Sequence, residues 1–181
     1  MRAVRSTLTV LVAVVLASVP NPAYAQSSEV FDANDVTPAY LDIVHAKVTD
    51  QVGTGRLMFL MELAAAVPQQ PIDSFVAYNW QLDTDNVPST IEFFIIVRWR
   101  LGHWETLMWD QRPVNTGTGS LIETAITDVS FNGATVHTTI DAAAFDDPST
   151  LNWRSVTRNA PAPAPVLDVA PNAGAWVGFH R

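Results

Sequence analysis

The sequence contains no cysteine among its 181 residues. This absence excludes disulfide bonds, a thiolate nucleophile, cysteine-based zinc or iron–sulfur sites and a lipid-modified N-terminal cysteine. Stability must then come from a packed core or from bound metal. An apolar content of 48% indicates a packed core rather than disorder. The length suits a single domain that buries on the order of 70% of the surface of its unfolded chain.

Basic residues are also few, since 10 Lys and Arg stand against 18 Asp and Glu and give a net charge of −8. Loss of Arg2 and Arg5 with a leader segment would make that charge more negative still. A nucleic-acid partner requires the opposite sign, and an anionic membrane surface is disfavoured for the same reason. The acidic balance suits the binding of neutral ligands and the capture of cations outside the cell.

Near the start of the chain, residues 8–19 form an apolar run that is too short to cross a bilayer comfortably. Two arginines precede this run, and an Ala-x-Ala cleavage motif ends at Ala25. This pattern is typical of a secretory signal peptide over residues 1–25. We expect the mature chain to begin at Gln26, to be secreted into the extracellular space or the periplasm, and to have no membrane span.

The remaining sequence predicts a polar, flexible lead-in over residues 26–39 and a single domain over residues 40–181. About eight strands separated by short turns predict an all-β fold, an antiparallel β-sandwich of jelly-roll or immunoglobulin-like type. Within the apolar run Arg56–Val67, residues Leu57–Ala66 are compatible with a helix, but the neighbouring strands and tight turn favour a strand buried on both faces. A Pro-rich segment at 159–165 should be extended, and residues 166–181 should fold back onto the sheets.

One hairpin can be predicted in detail. A Leu-Gly pair at 101–102 is typical of a hairpin turn. A two-residue turn here places Trp99 opposite Trp104 and Arg98 opposite Glu105. Both are favourable cross-strand pairs, and their agreement supports this register.

Five short motifs, in order along the chain, carry a resemblance to known domains. They are Asp42-Ile43-Val44, Gly55-Arg56-Leu57-Met58-Phe59, Leu82-Asp83-Thr84-Asp85-Asn86, Gly102-His103-Trp104 and Trp153. Over most of the mature chain this arrangement resembles bacterial extracellular β-sandwich domains related to the family 9 carbohydrate-binding modules and the DOMON-like domains. The resemblance implies binding of sugar, haem or another small ligand, often as an accessory module beside an enzyme.

A cluster of short, oxygen-bearing side chains follows the predicted aromatic strand. Asp83 and Asp85 lie two residues apart, with Asn86 beside them. Hard cations such as Ca²⁺ bind several carboxylate and amide oxygens held close together. The cluster therefore predicts a calcium site to which Asp168 would add a ligand from across the fold. The alternative is a turn in which the Asp and Asn side chains bond their own backbone.

Six tryptophans in one small domain suggest sugar stacking, because the C–H faces of sugars pack on flat aromatic rings. The candidates surround the predicted hairpin and combine rings with polar groups. They are Trp99, Trp104, Tyr78, Arg98, Arg100 and His103, with Asn79 as a further polar group nearby. The alternative for each ring is packing in the core of the sandwich.

Enzymatic function is not favoured, because the sequence has neither a Gly-x-Ser-x-Gly elbow nor a cysteine nucleophile. The four histidines lack the spacing of a zinc site. Haem is not favoured either, since methionines in a sandwich usually fill the core. The leading hypothesis is a secreted binding module for a polysaccharide or cell-surface glycan, with a structural calcium ion. The alternatives are a structural or interaction domain at the cell surface without a small ligand, and a haem-binding redox module. The sequence indicates no oligomeric state.

Overall fold

A computed structural model describes residues 25–87, 90–160 and 166–181, and these form a nearly all-antiparallel β structure. The signal peptide predicted for residues 1–25 lies, except for Ala25, outside the described residues. Residues 161–165 of the Pro-rich segment also lie outside them. Within the described ranges, no helix is both long enough and apolar enough to cross a membrane.

The described ranges contain twelve strands, more than the eight expected, because several strands are only three to five residues long. In chain order the strands are β1 (Ser27–Phe31), β2 (Ile43–Gln51), β3 (Arg56–Leu63), β4 (Phe75–Asp83), β5 (Phe93–Arg100), β6 (His103–Asp110), β7 (Ile122–Ala125), β8 (Val129–Asn132), β9 (Thr135–Asp141), β10 (Thr150–Arg158), β11 (Asp168–Ala170) and β12 (Val177–His180). The helical elements are α1 (Arg112–Asn115) and three 3₁₀ helices at Ala39–Leu41, Ala142–Phe145 and Asn172–Gly174.

The strands form two antiparallel sheets with one shared core, which confirms the predicted all-β sandwich class. The first sheet has the order β1-β2-β3-β9-β8, and the second has the order β11-β10-β4-β5-β6-β7, with β12 also paired to β10. The pairing of β11 and β12 with β10 confirms that the C-terminal segment folds back onto a sheet. The predicted lead-in needs correction, because residues 27–31 form the edge strand β1, paired with β2.

Alternate residues of each strand supply the core between the sheets. In β3, the side chains of Leu57, Phe59, Met61 and Leu63 are buried, and the residues between them are partly exposed. The predicted strand is thus confirmed over Arg56–Leu63, whereas residues 64–67 are not in a strand. It is buried on one face only, as expected where a sheet has core on one side. Strand β4 differs, because every residue after Phe75 is buried, including those on the outer face.

The β5–β6 hairpin has the predicted register, with Trp99 opposite Trp104 and Arg98 opposite Glu105. The two turn residues at 101–102 both have positive φ, 53° and 83°. This is the backbone of a type I′ turn, whose twist matches that of the strands. Because successive residues of a strand point to opposite faces, the Trp pair lies inside the sandwich and the Arg–Glu pair outside.

Candidate functional site

The three aromatic residues predicted to bind a ligand lie on the inner face of the second sheet. Tyr78 is fully buried, its ring stacks on that of Trp104 at a centroid distance of 5.8 Å, and its hydroxyl donates to the Tyr40 carbonyl. The Trp99 and Trp104 rings are half-buried, lie 5.7 Å apart and pack against the same core. These rings close one end of the core, and Tyr78 has no exposed surface for a ligand.

The polar residues predicted for the same site lie on the opposite, outer face. Arg98 is buried and ion-paired with Glu105, whereas Arg100 and His103 are exposed beside the hairpin turn. A single site cannot include both Trp99 and Arg98, because the side chains of neighbouring residues in a strand point to opposite faces of the sheet. The predicted ligand residues are therefore divided into an aromatic group inside and a polar group outside.

A cavity of about 210 Å³ opens on the outer face of the second sheet. Its walls combine aromatic rings, side-chain amides and guanidinium groups carried mainly by β4, β5, β6 and β10. The side chains that define it are Phe94, Trp109, Asn79, Gln81, Arg98 and Arg158. We call this cavity the outer groove. Of these six residues, only Arg98 and Asn79 were among the residues predicted around the sugar site.

Contacts on both sides hold the aromatic wall of the outer groove in place. Phe94 and Trp109 pack against a second apolar cluster that includes Ile96, separate from the main core. The two rings meet edge to face with centroids 6.2 Å apart. The Trp109 Nε1–H donates to Glu123 Oε2 of β7 at 2.9 Å. An indole ring fixed in this way offers a ligand a preformed stacking surface.

Two arginines supply the charge of the outer groove. The Arg98 guanidinium lies 5.7 Å from the centroid of the Trp109 ring, and its hydrogen bond to Glu105 lowers the pKa of that carboxyl. Burial lowers the pKa of Arg158, because desolvation disfavours the charged form. Asn79 is 5% exposed, and none of the described residues hydrogen-bonds to its side-chain amide. That amide is available to a ligand.

At one end of the same outer face, neighbouring strands present polar side chains side by side. Asp83 ends β4, Glu92 immediately precedes β5, and Asn152 lies opposite Asp83 on β10. Asp85 reaches the same place from the loop after β4. Ligand oxygens of Asp83, Asp85 and Glu92 lie within 4.8 Å of one another. We call these three residues the acidic cluster.

Hydrogen bonds orient the side chains in and around the acidic cluster. Asn152 Nδ2 donates to Asp83 Oδ2 at 3.1 Å and to Asn86 Oδ1 at 3.2 Å. The backbone N–H of Thr84 donates to Glu92 Oε2 at 3.0 Å. The predicted acidic turn is thus joined by Glu92, a carboxylate that the sequence prediction missed.

Strand register is the signal that would have identified Glu92. Strands β4 and β5 pair with Leu82 opposite Phe93. The next residues outward, Asp83 and Glu92, then face each other at the end of the hairpin. Locating this pair from sequence requires the length of the loop between the two strands, and the boundaries of strands are hard to predict from sequence.

Asp168, predicted as a further metal ligand, lies elsewhere in the second sheet. It pairs with Thr157 of β10, whereas Asp83 pairs with Asn152. At ~3.3 Å per residue along β10, the two positions are roughly 17 Å apart. Asp168 Oδ2 instead accepts a hydrogen bond of 2.6 Å from the backbone N–H of Ile43. The predicted ligand set is corrected accordingly, because Asp168 is not part of the acidic cluster.

Comparison with known proteins finds no match to a family model, a curated protein or a solved structure. The fold and its sites define an antiparallel β-sandwich with a small groove on the outer face of one sheet and an acidic cluster at the end of that face. The resemblance to the family 9 carbohydrate-binding modules and the DOMON-like domains stays a prediction.

Proposed function

We propose that this protein is a non-catalytic carbohydrate-binding module whose ligand lies in the outer groove. The observation that carries the proposal is the presence of the Trp109 and Phe94 rings in one groove with the Asn79 and Gln81 amides. Sugars need both kinds of group, since their C–H faces pack on rings and their hydroxyls require hydrogen-bond partners. The secretory signal peptide predicted from the sequence supports the proposal, because it would bring the groove to extracellular glycans.

The size of the outer groove supports a short contact with a sugar chain. Its volume of about 210 Å³ is below the roughly 300–1,000 Å³ of pockets that enclose drug-sized ligands. A single sugar unit, either free or within a longer polysaccharide laid across the sheet, suits such a volume. Binding by a few preformed contacts fits a groove whose aromatic wall is already held in place.

The charge of the outer groove favours an acidic sugar. Among the described residues that line it, the charged ones are Arg158 and Arg98, the latter ion-paired with Glu105, although the protein as a whole carries a net charge of −8. Guanidinium groups recognise carboxylates by charge-assisted hydrogen bonds. We expect a polysaccharide of uronic acids to bind more tightly than a neutral polysaccharide, with an affinity that falls as salt is added.

Isothermal titration of the purified protein with neutral and uronic-acid oligosaccharides tests this proposal. Saturable binding is expected, and Trp109→Ala should weaken it at least tenfold, because the stacking surface is lost. The matched control is Phe31→Ala, which removes an aromatic ring that is 72% exposed on the other sheet. This control should bind as the wild type does. The absence of binding across the panel, or equal affinities of wild type and Trp109→Ala, would contradict the proposal.

A further inference from the structure

The acidic cluster of Asp83, Asp85 and Glu92 brings three carboxylates together, and one buried oxygen of Asp83 has no hydrogen-bond partner among the described residues. We propose that the acidic cluster binds a calcium ion, which ties the loop after β4 to the end of β4 and to the residue that precedes β5. The proposal is independent of the outer groove and of its ligand. It rests on a buried unpartnered oxygen, on the absence of a neutralising side chain, and on the spacing of the oxygens.

The unpartnered oxygen belongs to Asp83, whose side chain is fully buried at 0% exposure. Its Oδ2 accepts a hydrogen bond from Asn152, but its Oδ1 has no hydrogen-bond partner among the described residues. A buried carboxylate oxygen without a donor is costly, and such groups are normally paired or coordinate a metal. Asp83 also contributes an oxygen that lies within 4.8 Å of oxygens of Asp85 and Glu92. An incompletely bonded, buried carboxylate in this position is the independent observation that indicates a ligand.

No basic side chain neutralises the acidic cluster within the described ranges, where none of its three carboxylates forms an ion pair. Arg112 lines the adjacent cavity together with Glu92, but its guanidinium is bonded to Asp110 and Asp146. Three carboxylates this close repel one another strongly when two of them are withdrawn from water. A bound cation both removes the repulsion between these carboxylates and supplies a partner for the unpartnered oxygen of Asp83.

The number and type of the oxygens favour Ca²⁺ over Mg²⁺, because Mg²⁺ in proteins usually keeps several waters and binds only one or two carboxylates. The ligand atoms lie within 4.8 Å of one another, inside the roughly 5 Å that separates opposite ligands of Ca²⁺ at 2.3–2.6 Å. The neighbouring cavity of about 530 Å³, lined by Asp85 and Glu92, gives water access to the cluster. Water can therefore complete the coordination shell.

Titration of the chelator-treated protein with CaCl₂ by isothermal calorimetry tests the site. We expect one saturable site per chain, a higher melting temperature in Ca²⁺ than in chelator, and an affinity for Mg²⁺ at least tenfold weaker. No saturable heat together with identical melting curves would overturn the proposal. An affinity for Mg²⁺ equal to or above that for Ca²⁺ would overturn the assignment of the ion.

Two conservative variants locate the ion. Asp83→Asn and Glu92→Gln keep the size of the side chain and should each weaken Ca²⁺ binding at least tenfold, since each removes a charged ligand. The matched control is Asp146→Asn, which removes the same charge on the border of the adjacent cavity but outside the acidic cluster. It should change the affinity by less than about twofold. If one of these two variants fails to fold, the other variant tests the site. A Ca²⁺ affinity equal to that of the wild type in the folded variant would refute the site.

Discussion

Replacing Trp153 with alanine is expected to lower the free energy of unfolding by about 3–5 kcal/mol, as is typical of large-to-small changes at buried aromatic positions. Trp153 is fully buried on the inner face of β10 and belongs to the main core. Its Nε1–H also donates to Ser28 Oγ at 2.7 Å, which links the second sheet to β1 of the first. The alanine variant loses the packing of the ring and this link between the sheets. Urea denaturation followed by fluorescence of the remaining tryptophans measures the change.

A pair of phenylalanine variants separates the hydrogen bond of Trp153 from its packing. Trp80 is likewise fully buried, but its Nε1–H has no acceptor among the described residues. Trp80→Phe and Trp153→Phe remove similar volume, yet only the second breaks a hydrogen bond. We expect Trp153→Phe to be more destabilising by about 1 kcal/mol. Equal losses of stability in the two variants would mean that the bond to Ser28 contributes nothing.

Local patterns were sufficient to predict much of the fold. The Trp99–Trp104 and Arg98–Glu105 pairs follow from a two-residue turn and a side-chain period of two, which act over only a few residues. Strand β3 could be distinguished from a helix by its strand neighbours. The edge strand β1 was missed because its five residues carry little apolar signal, and because 11 residues separate it from its pairing partner β2.

The site was harder to predict, because it depends on which face each residue occupies and on register between distant strands. Trp99 shares its face with Ile95 and Val97, both buried in the core, so alternation already indicated packing rather than ligand binding. By the same alternation, Phe94 and Arg98 occupy the outer face, where they line the groove. Predicting the position of Asp168 requires knowledge that β11 pairs with β10, and no local sequence pattern indicates this pairing.

The outer groove and the acidic cluster share one face of the second sheet but draw on different physical effects. The groove depends on rings and amides that remain partly desolvated without a ligand, as the low exposure of Asn79 and Gln81 shows. The acidic cluster depends on charge repulsion and on an unpartnered oxygen of Asp83. Because they use separate side chains, loss of one should leave the other measurable. Trp109→Ala should therefore retain Ca²⁺ binding.

The second large effect expected is a loss of stability between pH 4 and pH 6 that originates at Asp168. Burial, with a smaller contribution from repulsion by Asp32 and Asp42, raises the pKa of Asp168 from 3.8 to about 6. A carboxyl with a higher pKa in the folded than in the unfolded chain holds its proton more tightly when folded. Its stabilising contribution is therefore complete below about pH 4 and is lost as the pH rises through about 6. At about 1.4 kcal/mol per pKa unit, the loss is on the order of 3 kcal/mol.

Asp168→Asn isolates this contribution, because the amide does not titrate and can still accept the hydrogen bond from Ile43. The free energy of unfolding of the wild type minus that of the variant should fall by about 2 kcal/mol between pH 4 and pH 6, and by about 3 kcal/mol between pH 3 and pH 7. Urea denaturation at several pH values measures it. The matched control is Asp141→Asn, since Asp141 is an exposed N-cap that bonds to the Ala143 N–H and asparagine caps equally well. For Asp141→Asn, the free energy of unfolding of the wild type minus that of the variant should not fall between pH 4 and pH 6. Parallel pH profiles for wild type and Asp168→Asn would show instead that Asp168 titrates alike in the folded and unfolded chains.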